Sequence, residues 1–306
     1  MTTGVVLMTY GAPDGAADLP RYLAAVRGGR PASDELVAEM ARRYDVIGGS
    51  PLVARTESQA AALERALGPG HRVAAGMRFS EPSIARAAAA LVAGGADRVA
   101  GIVLSPQWSD LLMGGYVRAL DEALGDVPHR VARSWSAEPL FIESLAGRVS
   151  EALGDDQEGA PVVLTAHSLP RRVFETDREY VAELRATGER VAAAAGLDGG
   201  RWRWAYQSAG HTPEEWLRPD LGEIFPELAR AGHRAVLVAP VQFLADHLEV
   251  LYDLDVAAAA QAQVAGLAYR RIAMPNADPV FIAALAAVAR RTVPEIVRPG
   301  ARVLPA

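Results

Sequence analysis

Short apolar runs rich in β-branched residues recur along the chain, separated by stretches of helical length, many of them alanine-rich. The runs predict strands at Gly4–Thr9, Arg72–Gly76, Arg98–Ser105, Arg130–Trp135, Val162–Ala166, Arg203–Tyr206, Arg234–Ala239 and Ala268–Ile272. Amphipathic spacing predicts helices over Ser50–Leu67, Pro82–Val92, Tyr116–Leu124, Glu138–Leu153, Tyr180–Ala195 and Pro279–Arg291. Strands that are apolar almost without interruption are buried on both faces, which calls for parallel sheets with helices on either side. The fold class is α/β.

The unit recurs. Val5-Val6-Leu7-Met8-Thr9-Tyr10 runs into Gly11-Ala12-Pro13, and Val162-Val163-Leu164-Thr165-Ala166-His167 runs into Ser168-Leu169-Pro170. Further on, Ile102-Val103-Leu104-Ser105-Pro106-Gln107 is matched by Val236-Leu237-Val238-Ala239-Pro240-Val241-Gln242. With 306 residues, half of them apolar, the chain can fill two cores, and the boundary is expected near Ser136–Leu153. Open parallel sheets bind ligands beyond the carboxyl ends of their strands. Tyr10 and His167 occupy equivalent ends, so two facing domains would aim both at one cleft.

Composition removes several chemistries. With no cysteine there is no disulfide, thiolate nucleophile, cysteine-held zinc or cysteine-bound iron–sulfur cluster. The 31 basic and 37 acidic residues leave a net charge of −6, which argues against a general nucleic-acid binder. The N-terminus lacks the basic region and long apolar run of a signal peptide, and no apolar run reaches the ~18 residues of a membrane span. A cytoplasmic protein is expected. Dinucleotide, Walker, zincin and serine-hydrolase motifs are all missing from the sequence.

Among the histidines, His71, His129 and His233 each precede an arginine and a strand, the pattern of a solvated loop; His211, between Gly210 and Thr212-Pro213, also reads as loop. His167 differs because it ends a strand where substrates dock. The densest polar stretch is Asp246-His247-Leu248-Glu249-Val250-Leu251-Tyr252-Asp253-Leu254-Asp255. As an α-helix it would stack Asp246, Glu249 and Asp253 in one acidic stripe beside Leu244, Leu248 and Leu251. Stacked carboxylates repel one another, and a passing cation would reverse that sign. A solvated acidic face is the competing reading. Basic counterparts lie at Arg27 and Arg30, around Gly28-Gly29, and at Arg42-Arg43-Tyr44; glycines beside arginines suit reach toward carboxylates or phosphates.

Five segments, in order and spanning nearly the whole chain, resemble the ferrochelatases, and specifically the coproporphyrin III branch of Gram-positive bacteria in its form without an iron–sulfur cluster. They are Leu7–Pro13, Arg43–Leu52, Thr165–Pro170, Tyr206–Gly210 with Thr212-Pro213 and Trp216–Asp220, and Asp246–Asp253. The resemblance implies two similar Rossmann-like domains of chelatase type with the active-site cleft between them. Their spans would be residues 1–140, completed by a returning segment 279–306, and residues 141–278. It implies a lyase of haem and porphyrin biosynthesis that inserts Fe²⁺ into coproporphyrin III to give coproheme with release of two protons. His167 and Glu249 would be catalytic and face the metal, and Tyr10 would be axial ligand to product iron. Arg27, Arg43, Tyr44, Ser50 and Tyr116 would contact the porphyrin and its propionates. No obligatory cofactor is implied; Fe²⁺ is a substrate. The expected partners are the porphyrin and a downstream coproheme decarboxylase, with the enzyme itself a monomer.

The chain departs from the family pattern in a shortened Gly48-Gly49-Ser50 turn, in Gly28 where an arginine is common, and in Ala257 where some relatives extend the acidic ladder. On this reading the neutral His167 imidazole takes a pyrrole proton and guides iron, Glu249 receives iron or relays protons toward Asp253, and a bent macrocycle lowers the barrier. Arg27, Arg30 and Arg43 would balance propionate charge. The rivals are a protoporphyrin IX ferrochelatase, a cobalt or nickel chelatase, a non-catalytic porphyrin or haem carrier, and an α/β nucleotide- or sugar-binding module.

Overall fold

A computed structural model describes residues 2–154, 159–210 and 214–296. Among these residues eight strands form: β1 (Thr2–Thr9), β2 (His71–Met77), β3 (Ala96–Val103), β4 (His129–Val131), β5 (Val162–His167), β6 (Trp202–Gln207), β7 (Ala235–Pro240) and β8 (Ala268–Arg271). The helices in chain order are α1 (Leu19–Val26), α2 (Asp34–Val46), α3 (Leu52–Leu67), α4 (Ile84–Ala93), α5 (Asp110–Leu124), α6 (Pro139–Leu153), α7 (Arg171–Thr176) and α8 (Arg178–Ala194). They continue with α9 (Leu221–Arg230), a π-helix over Glu249–Ala258, α10 (Ala259–Val264) and α11 (Pro279–Thr292).

All strand pairings within the two sheets are parallel, and the two sheets repeat one order: β2-β1-β3-β4 and β6-β5-β7-β8. The chain divides into two compact units. Of the described residues, one holds those within 1–42, 50–135 and 276–306, and the other those within 43–49 and 136–275. In each sheet the order reverses beside the first strand, so the switch point lies between β1 and β3 in one unit and between β5 and β7 in the other. That crevice is where doubly wound sheets place ligands.

The central strands are buried along their length, as their unbroken apolar runs require. In the first unit Ile84 and Leu91 of α4 and Leu120 of α5 pack on Val6, Met8 and Val99. Leu63 of α3 and Leu285 of α11 are fully buried, and the two helices pack together. In the second unit Leu221 and Phe225 of α9, with Leu254 and Ala258 of the π-helix, cover Val163, Val236 and Val238. Each Val, Leu, Ile, Met or Phe side chain so removed from water contributes roughly 1.5–3 kcal/mol.

Three expectations change. The strand expected over Arg130–Trp135 leaves its ladder after Val131: the Ala132 amide makes the last bond to β3, at the Gly101 carbonyl, and the Trp135 amide and indole turn to the carbonyls of Pro106 and Val103. His71 and His129 open β2 and β4 rather than lying in loops before them; His129 ties the Val127 carbonyl to Asp121 of α5. The helix carrying Glu249 is π rather than α: the Ala259 amide reaches back five residues to the Leu254 carbonyl. His211 and Thr212-Pro213 lie outside the described residues, as does the end of the 279–306 segment. Among the described residues no helix is long and apolar enough to cross a membrane.

Candidate active site

In the second unit, His167 is the last residue of β5, at the switch point. Its backbone N–H donates to Gln242 Oε1 at 2.9 Å, and Gln242 Nε2 donates to the buried Tyr180 hydroxyl at 2.7 Å. The imidazole Nδ1 bonds the Ser168 carbonyl, which can only accept, so Nδ1 carries a hydrogen, and in the neutral ring Nε2 carries the lone pair. That Nε2 faces Glu249 Oε1 at 3.7 Å.

Glu249 opens the π-helix and keeps 38% of its side chain accessible. A second imidazole reaches it from the other side, with His247 Nε2 at 3.5 Å from Oε2. His247 is held like His167, by an Nδ1 bond to a backbone carbonyl, here Ala245 at 2.9 Å, and its ring meets Phe243 edge-on at 4.6 Å. Burial alone would raise the Glu249 pKa, but the charge His167 carries when protonated and the hydrogen bond and charge of His247 outweigh it and bring it to about 2. For His247 burial opposes charging, yet its bond to Glu249 and that residue's charge raise its pKa. Asp253 moves the opposite way from Glu249: burial and the Glu249 charge raise it, against the pull of Arg43 and His167. Tyr44 is pushed up by burial and by Glu249, so its phenol stays protonated.

The expected three-carboxylate stripe is therefore only two. Bonds spanning five residues widen the helical turn, and they leave Glu249 and Asp253 near one another, four residues apart. Asp246 precedes the helix, and Arg271 takes it at 3.7 Å while gripping Asp255 at 2.6 Å. Arg43, near the C-terminal end of α2, pairs with Asp253 at 3.5 Å and lies over the Tyr252 ring at 5.0 Å. Among the described residues no three His, Asp or Glu side chains form a cage for a metal ion.

The remaining expected residues belong to the first unit. Tyr10 follows β1, is 42% exposed, and meets Phe79 edge-on at 4.7 Å. Arg27 caps α1, and its carbonyl accepts from Arg30 Nε at 3.1 Å; both are exposed around Gly28 and Gly29, whose φ of 69° and 87° suit only glycine. Ser50 lines a cavity of about 1120 Å³, and its hydroxyl accepts from the Leu52 amide at 3.4 Å. Tyr116 of α5 packs into the core, 6% exposed.

Residue-type reasoning missed His247 and Gln242. The signal for His247 was its place two before Glu249 in Asp246-His247-Leu248-Glu249; Gln242 gave none, since its role needs the β5–β7 neighbourhood. What converges in the second unit is an imidazole nitrogen and an ionised carboxylate, with a second carboxyl group of raised pKa four residues on. Such a set can bind a borderline cation loosely and move protons.

Two parallel sheets of one order, each flanked by helices and one carrying this imidazole–carboxylate pair, define a chelatase-type protein. Solved structures agree on the fold: a CbiX of siroheme biosynthesis from denitrifying bacteria has a TM-score of 0.58 at 16% identity, covering 95% of this chain and 99% of that one. SirB from Bacillus subtilis with Fe³⁺ has a TM-score of 0.58 at 14% identity, covering 95% and 96%. The ferrochelatase family model matches residues 2–293. A ferrochelatase from Deinococcus radiodurans is 36% identical over 305 residues, 96% of each chain. A coproporphyrin III ferrochelatase from Anoxybacillus flavithermus is 37% identical over 93% of this chain and 94% of its own, and one from Bacillus subtilis is 36% identical over 93% and 96%. The chain belongs to the ferrochelatase family, enzymes that insert iron into a porphyrin in haem biosynthesis.

Proposed function

We propose that the chain inserts Fe²⁺ into coproporphyrin III, giving coproheme and two protons. Relatives of that name at 36–37% identity support the substrate, and so does the exposed phenol of Tyr10 at the end of β1. One observation carries the chemistry: an imidazole whose Nδ1 is tied to a carbonyl turns its Nε2 toward the Glu249 carboxylate 3.7 Å away.

Insertion must strip two protons from pyrrole nitrogens and water from Fe²⁺. His167 Nε2 takes a pyrrole proton and offers a borderline ligand for the entering ion. Glu249, held ionised between two imidazoles, receives the ion or passes protons on. A proton leaving this pair runs toward Asp253, whose raised pKa makes it the better holder. A site without a closed cage suits an ion that must be handed to the macrocycle. Tyr10 is the axial ligand to product iron, while Arg27 and Arg30 balance propionate charge.

Anaerobic turnover on coproporphyrin III and protoporphyrin IX tests the substrate. The tetracarboxylate is expected to lead by about tenfold in kcat/KM, the worth of one further charge-assisted contact. Equal or reversed preference defeats the reading. Tyr10→Met is expected to shift the visible spectrum of bound product, and an unchanged spectrum removes Tyr10 as ligand.

A further inference from the structure

In the first unit, one cation stands apart from the others along the 1120 Å³ cavity. Arg21 there is bound by Asp18, and Arg86 lies 3.9 Å from Glu81. Arg78 is half-buried, and among the described residues no carboxylate pairs with it. Its guanidinium is nevertheless held firmly. The Phe79 ring lies 4.8 Å away and the Tyr116 ring 5.1 Å, and one Nη1–H donates to the Leu112 carbonyl at 3.3 Å. The backbone is pinned too, with Arg78 and Phe79 amides bonded to the carbonyls of Thr9 and Tyr10 at the end of β1.

Gly115 of α5 makes the seat. A Cβ at that position would stand 2.0 Å from Arg78 Nη2 and 2.2 Å from Cζ, so only glycine leaves room for the guanidinium. The group has five N–H donors, and one is used. A planar cation pre-oriented by aromatic rings, with free donors and no internal counter-charge, is built for a planar anion, and Arg binds carboxylates in two-pronged fashion. The substrate class of this family carries carboxylates on flexible arms. Phe79 also joins the Arg78 seat to Tyr10, 4.7 Å from its ring.

We propose that Arg78, seated over Gly115, binds a propionate carboxylate of the porphyrin substrate. The inference rests on the porphyrin reaction of the family and not on the choice of porphyrin. Coproporphyrin III, with one propionate on every pyrrole ring, presents an arm to Arg78 in any rotation about the ring normal.

The test is fluorescence titration of the full chain with coproporphyrin III and with its uncharged tetra-amide. Arg78→Gln and Gly115→Ala are each expected to raise the Kd for coproporphyrin III about tenfold, the lower end for a hydrogen-bonded charge. The tetra-amide Kd stays within about twofold, since no charged contact is lost. Gly115→Ala keeps every atom of Arg78, displaces only its seat, and favours the helix, so it decides the matter if Arg78→Gln fails to fold. Equal losses on both ligands, or no loss in either variant, overturn the proposal, because a residue that only holds the loop cannot distinguish charge. A wild type that prefers protoporphyrin IX sinks the coproporphyrin reading alone; the Arg78→Gln effect on binding of that dicarboxylate still measures the Arg78 contact.

Discussion

Arg271 ends β8 and holds the carboxylate helix from both sides of Glu249. Its Nε and Nη2 meet the two oxygens of Asp255 at 2.6 and 2.7 Å, Nη1 donates to the Ile272 carbonyl at 2.8 Å, and Nη2 lies 3.7 Å from Asp246. Arg271→Met keeps much of the apolar stem and removes the charge. The two-pronged bond to Asp255 would be worth about 1.5–3 kcal/mol if buried; Asp255 is 37% exposed, which brings it to about 1.5 kcal/mol. Asp246, at 17% exposure, loses a counter-charge it cannot replace from water, about 1–2 kcal/mol more. The sum of about 3 kcal/mol should lower Tm by roughly 6–12 °C in calorimetry. If stranded carboxylates are the cause, adding Asp246→Asn and Asp255→Asn to Arg271→Met should recover most of that loss. A loss under about 0.5 kcal/mol, or a triple variant no better than the single, would refute the reasoning.

Other expectations follow from the same site. The folded pKa of Glu249, about 2, lies below the ordinary 4.5, so its ionised form adds stability above about pH 4.5 that disappears as pH falls toward 2. Glu249→Gln should therefore show a flatter acid limb in denaturant titrations between pH 5 and 2, and identical limbs would contradict the assignment. Gln242→Leu removes the acceptor of the His167 amide and the donor to Tyr180, at about 2 kcal/mol. It should also lower kcat more than it raises KM, because it frees the imidazole rather than the porphyrin; a pure KM effect would deny Gln242 that positioning role.

Much of the fold was legible because buried parallel strands write themselves as unbroken apolar runs. All eight strands of the described residues lie where those runs stand, and β4 is shorter because the chain turns away after Ala132, with the Trp135 amide bonded to Pro106. Helix α2 escaped because none of its side chains is fully buried and its apolar period is weak. At the site, His167 was readable from its strand end. The Asp246–Asp253 stripe was misread because a period of 3.6 does not describe a π-helix, and because Arg271, distant in sequence, claims Asp246. Arg78 shows no local signal at all; its seat depends on Gly115, 37 positions away.

The central claim is that the His167 imidazole performs the insertion step. Anaerobic Fe²⁺ insertion into coproporphyrin III by His167→Ala, beside wild type, tests it most directly. A positioned base and ligand predicts a kcat at least about a hundredfold lower, with porphyrin Kd little changed. Turnover near that of wild type in a folded variant would contradict it.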